Sequence, residues 1–107
     1  MAKGFIQNID DAAFAQTASK GLTLADFSAT WCAPCRALEP ILEQLSIDLQ
    51  GKVVVMKIDV DASPKVTTQF QITSVPTMIV LKDGQEVHRI VGLKDLETLK
   101  KLILQHA

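Results

Sequence analysis

The sequence predicts an α/β fold, a mixed sheet of parallel and antiparallel strands covered by helices on both faces. Three observations lead there. Strand and helix signals alternate along the chain in the order β-α-β-α-β-α-β-β-α. Val53–Ile58 is an unbroken run dominated by β-branched residues, which suits a central strand buried on both faces. Asp83-Gly84 separates two strand-like runs, a strong hairpin signal that makes the last pair antiparallel.

Each element has its own local reason. Lys3–Gln7 reads as a short first strand. Asn8 or Asp10 can cap a helix running to about Ser19, with Phe14 on its apolar face and Gly21 as its stop. Leu22–Ala29 reads as a strand, although Asp26 lies inside it. A long helix should begin near Cys32–Pro34, because Leu38, Ile41, Leu42, Leu45 and Leu49 recur at helical spacing and Gly51 ends the run. Pro40 removes one backbone donor within it, so a kink is expected there. Ser63-Pro64 looks like an N-cap followed by proline at the first helical position, opening a short helix toward Phe70. Pro76–Lys82 and Glu86–Val91 form the hairpin, the second strand polar enough for a sheet edge. Leu96, Leu99, Leu102 and Ile103 mark a final amphipathic helix.

Composition narrows the function. The 107 residues argue for one domain, 1–107, long enough to bury a real core. Eleven basic residues face twelve acidic ones, so there is no basic field for nucleic acid and no polybasic patch for a membrane. The first eight residues do not read as a secretory signal, and the apolar runs are too short to cross a bilayer. A cytoplasmic protein, and a monomer, is expected.

The chemistry concentrates at Trp31-Cys32-Ala33-Pro34-Cys35. A bridge between cysteines three positions apart closes almost no loop, so it cannot serve as a structural staple. The motif follows a predicted strand and opens a predicted helix. There the backbone N–H groups lack partners and the helix dipole is positive, so a thiolate at Cys32 forms more readily than in free cysteine. Residues three apart share one side of a helical turn, roughly 5–6 Å between Cβ atoms, and a disulfide needs about 3.5–4.5 Å. Dithiol and disulfide can therefore interconvert with small adjustment. Cys32, at the tip, is the better placed nucleophile; Cys35, one turn in, should be less exposed and resolve the intermediate. Pro34 pre-sets a helical φ.

Two bland alternatives stand beside this. A structural zinc needs about four ligands, and only His88 and His106 could supplement the cysteines, with no ligand spacing; no metal is expected. An inert pair of core cysteines fits poorly with a strand–helix junction, where functional loops of α/β folds sit. Asp26 is either turned to solvent or buried with a task, and residue statistics favour solvent. Lys57 has a solvated, edge-facing lysine as its lesser alternative reading. Trp31 could be plain core, but it abuts a reactive cysteine. His88 and His106 are taken as solvated.

The chain resembles the thioredoxin family over essentially its whole length. The matching stretches are Ala25-Asp26-Phe27-Ser28-Ala29-Thr30-Trp31-Cys32-Ala33-Pro34-Cys35, Lys57-Ile58-Asp59-Val60-Asp61, Ser74-Val75-Pro76-Thr77, and Lys82-Asp83-Gly84 with Val91-Gly92. The resemblance implies the thioredoxin fold, a central five-stranded mixed sheet flanked by four helices. It implies reduction of protein disulfides, with no bound cofactor and with electrons from NADPH through a flavin-dependent thioredoxin reductase. It places Asp26 behind the cysteines for proton transfer to Cys35, with Lys57 as its charge partner; burial would raise the Asp26 pKa and suit it to acid–base work. It also implies a cis Val75-Pro76 bond facing Cys32, leaving Val75's backbone free to pair with an extended substrate. Trp31, Ala33, Pro34, Val75, Pro76 and Gly92 would then form the docking patch. The chain departs from the family at Ala33, where Gly is usual, and at Ser28, where Trp is usual.

Three other functions compete: a redox-independent binding module or holdase, a metal or cluster carrier, and an oxidase or isomerase. Cys-x-x-Cys together with Asp26 and Pro76 opposes the first. Pro rather than His beside Cys35 favours a reductase over the last.

Overall fold

The computed structural model describes residues 4–107; Lys3, at the start of the expected first strand, lies outside them. The elements are β1 (Gln7–Asn8), α1 (Phe14–Ala18), β2 (Leu22–Ser28), α2 (Ala33–Asp48), β3 (Val53–Asp59), α3 (Pro64–Gln69), β4 (Thr77–Lys82), β5 (Gln85–Val91) and α4 (Leu96–Leu104). They form a five-stranded sheet in the order β1-β3-β2-β4-β5. β1, β3 and β2 run parallel, and β4 and β5 are antiparallel to their neighbours. The five-strand, four-helix architecture is the expected one. The central strand, however, is β2, every residue of which is buried, while Val53–Ile58 lies one place outward.

Alternation along the strands divides the core in two. Leu22 and Leu24 of β2, Val53 and Val55 of β3, and Met78 and Val80 of β4 pack beneath Leu38, Leu42 and Leu45 of α2 and Leu99 and Ile103 of α4. Ala25 and Phe27, Met56 and Ile58, and Ile79 and Leu81 face the other way, toward Phe14 of α1 and Val66 of α3. Asp26 and Ser28 continue the α2 side of β2, so the polar positions of the central strand lie under the long helix.

The helix ends show where local reading stops. Asp10 accepts from the Ala13 N–H at 3.0 Å, but the expected first helix is regular only over Phe14–Ala18. Ser63 makes no side-chain cap on α3. Asp11 does so instead, accepting from the N–H groups of Lys65 at 3.2 Å and Val66 at 2.8 Å. A carboxylate there suits the helix dipole better than a hydroxyl. Asp83 and Gly84, both at positive φ, turn the β4–β5 hairpin. α2 is continuous through Pro40. No helix among the described residues is long and apolar enough to cross a membrane.

Candidate active site

β2 delivers the chain to the sheet's upper edge at Ser28, and a tight turn follows in which the Cys32 N–H donates to the Ala29 carbonyl at 3.2 Å. Cys32 is the N-cap of α2, in extended backbone geometry, and Pro34 occupies the first helical turn. The Cys35 N–H, which no intrahelical carbonyl can satisfy, donates to Cys32 Sγ at 3.2 Å. A sulfur thus stands where a capping oxygen would, at the positive end of a 16-residue helix.

Cys32 and Cys35 are joined as a disulfide, with Cα atoms 5.3 Å apart. Ala29, Val60 and Val75 pack around it. The expected difference in exposure is small, 5% for Cys32 against 3% for Cys35, because the same apolar neighbours cover both. Cys32 Sγ lies 3.7 Å from the carbonyl oxygen of Val75. The Val75-Pro76 bond is cis. Pro76 in turn accepts from the Gly92 N–H at 2.9 Å, and Gly92 has φ +90°, a conformation that favours glycine. The structure thus brings Cys32, Val75, Pro76 and Gly92 into one contiguous strip, with Ala33 and Pro34 exposed at the start of α2.

Trp31 is 67% exposed, so its indole is surface and not core. Its Nε1–H donates to Asp61 Oδ2 at 3.0 Å. Between Trp31 and Val75 runs a groove of about 170 Å³, walled also by Val60, Thr67, Ile72 and Ser74. The sequence reading marks none of those four, nor Asp61, as part of the site; Val60, Asp61 and Ser74 fall in stretches that resemble the family, but nothing in them points to Trp31.

Asp26 is completely buried, against the solvent reading its residue type favoured. In the sheet it lies between β3 and β4, with Lys57 and Met78 as its register partners. Among the described residues neither of its carboxyl oxygens has a hydrogen-bond partner. Burial pushes its pKa up to about 7, and the positive charge of Lys57 pulls the other way. The Lys57 ammonium itself bonds to Glu39 of α2. Glu39 stands four residues after Cys35, hence on the same face of the helix, a spacing that could have flagged it.

Beneath the first turns of α2, a cavity of about 270 Å³ is lined by Ser28, Cys35, Arg36, Glu39, Lys57 and Asp59, among others. Ser28, small where the resembling family has Trp, forms part of its wall. Among the described residues no group of three or more His, Cys, Asp and Glu side chains could hold a metal ion. His88 and His106 are half-buried rather than solvated, their rings 5.6 Å apart.

A family model described as "Thioredoxin" matches residues 5–105. A protein named thioredoxin from Chlamydia muridarum is 48% identical over 101 residues, covering 94% of this chain and 98% of that one. Thioredoxins of Chlamydia trachomatis serovar D and Staphylococcus aureus are 46% and 41% identical over the same length, covering 98% and 97% of their own chains.

Proposed function

This chain belongs to the thioredoxin family, and on that premise we propose that it reduces the disulfides of protein substrates in two exchange steps. It is a thiol–disulfide oxidoreductase whose redox pair is Cys32 and Cys35, and its chemistry resides in those sulfurs. In the reduced protein the Cys32 thiolate attacks one sulfur of the substrate disulfide. A bond forms from Cys32 to that sulfur, and the other substrate sulfur leaves as a thiolate that takes up a proton. Cys35 then gives its proton to the Asp26 carboxylate and attacks Cys32. The Cys32–Cys35 disulfide forms and the second substrate sulfur leaves as a thiolate that takes up a proton, so two electrons pass from the protein to the substrate.

The observation that favours this reading is the placement of Cys32 Sγ at the N-cap of α2, with the Cys35 N–H directed at it. The buried Asp26, whose pKa lies near neutrality, supports its part as the proton acceptor. Lys57 is its charge partner. The strip of Trp31, Ala33, Pro34, Val75, Pro76 and Gly92 is the docking patch. Among the described residues the Val75 N–H has no hydrogen-bond partner, which leaves it available to an extended substrate strand. The whole chain, 1–107, works as one domain, as a monomer in the cytoplasm. Electrons return to the disulfide from NADPH through a flavin-dependent thioredoxin reductase.

The Cys35→Ser protein tests the scheme. Incubated with a disulfide-bonded protein such as insulin, it should accumulate a covalent adduct at Cys32 and cease to turn over. Normal turnover would refute the two-thiol scheme.

A further inference from the structure

The position of Lys57 does not match the simplest account of a charge pair. It is the register partner of Asp26 on the adjacent parallel strand, yet its ammonium reaches across to Glu39 of α2. Asp26 is left with no hydrogen-bond partner among the described residues. Glu39 and Lys57 both line the cavity that also reaches Cys35 and Ser28. The other charged groups around it are Arg36 and Asp59. Arg36 donates to the Thr30 carbonyl at 2.8 Å and Asp59 accepts from the Asp61 N–H at 2.9 Å, so each is engaged locally. Glu43, one turn beyond Glu39, lines a neighbouring hollow with Glu39 and Lys57. From β4, Asp26 meets only the apolar Met78 in register, and from β1, Lys57 meets the neutral Asn8.

We propose that Glu39 is a positioning residue, holding the Lys57 ammonium off Asp26 so that the carboxyl behind Cys35 stays unbonded and free to exchange its proton with that thiol. Two carboxylates, Glu39 and Asp26, compete for the one Lys57 ammonium. The ammonium can bond strongly to one carboxylate, and the partly exposed Glu39 needs less desolvation to take it than Asp26 does. With Glu39 in place, Asp26 feels the cation at a distance and a second anion beyond it. Without Glu39, Lys57 is released toward Asp26 and the second anion disappears. Both changes favour the ionised carboxyl, so the sign is unambiguous.

The inference rests on the proposed role of Asp26, and its test is read on Asp26 itself. The Asp26 side-chain carbon would be followed by NMR against pH in the parent, Glu39→Gln, Lys57→Met and double-variant proteins. In Glu39→Gln the midpoint should fall by about half a pH unit or more. The pH at which Cys35 resolves a mixed disulfide should fall with it. In the Lys57→Met background, removing Glu39 should shift the midpoint by much less. An unmoved midpoint in a folded Glu39→Gln protein overturns the inference, as does an equal shift with and without Lys57. If Asp26→Asn resolved mixed disulfides at the parent rate, the role of Asp26 would fall, while the Glu39 dependence of its titration would stand or fall on the NMR alone.

Discussion

The indole N–H of Trp31 is tied to the carboxylate of Asp61, 30 residues away, at 3.0 Å. That bond holds an exposed ring against the wall of the groove that leads to Val75. Because Trp31 directly precedes Cys32, its fluorescence should differ between the oxidised and reduced proteins. Asp61→Ala should free the ring, read as faster fluorescence depolarisation, with about 1 kcal/mol or less lost in stability, since the bond is exposed. Unchanged depolarisation would mean that something other than Asp61 holds the indole.

Asp26 makes stability depend on pH in the direction opposite to an ordinary paired carboxylate. Its folded pKa of about 7 exceeds the ordinary aspartate value of 3.8, so between those values the native state binds more protons than the unfolded chain. Stability therefore falls as pH rises across that window, by at most about 4 kcal/mol once Asp26 is ionised in both states. Denaturant unfolding of the parent and of Asp26→Asn at a series of pH values isolates the effect. The difference between the two proteins should change across the window and flatten above it. A constant difference would show that the carboxyl does not titrate there.

Reactivity should follow the helix terminus. After reduction, Cys32 should be alkylated at neutral pH faster than a thiol in an unstructured peptide, because the thiolate is favoured at the N-cap. Cys35, inside the first turn and not at the N-cap, should lag behind it although the two are almost equally covered. Peptide mapping of a short alkylation pulse gives both rates, and equal labelling of the two sulfurs would contradict the assignment of nucleophile and resolving thiol.

Asp11 should matter to stability and not to chemistry. It supplies the acceptors for the N–H groups of Lys65 and Val66, which no helical carbonyl can reach. Asp11→Ala should cost about 1 kcal/mol, or roughly 4–8 °C in melting temperature for a domain of this size. Turnover below the melting range should be unaffected, which separates a helix cap from a site residue.

Much of this molecule can be read from short stretches of chain. The α2 stripe from Leu38 to Leu49, the Asp83-Gly84 turn and the Cys-x-x-Cys at a strand–helix junction are all local, and their geometry follows from period, turn chemistry and spacing. What escaped reading is non-local. The Asp11 cap on Val66 spans 55 positions, the Trp31–Asp61 bond 30, and the Lys57–Glu39 pair 18. Asp26 shows the same limit from another side. Its residue type pointed to solvent, and only the placing of β2 between β3 and β4, with α2 packed over that face, makes the position interior. The resemblance, not the local chemistry, supplied that expectation. Likewise, no stretch of sequence revealed that the rings of His88 and His106 lie side by side.

The alternation along β2 has a bearing on how such a protein can change over generations. Asp26 and Ser28 face the long helix, while their neighbours Ala25 and Phe27 lock into the opposite layer. Exchanges at Ser28, Glu39 or Lys57 therefore retune one side of the sheet without loosening the other. A lineage can explore new proton affinities and new tolerances around its sulfurs while the far layer keeps the chain folded throughout the search.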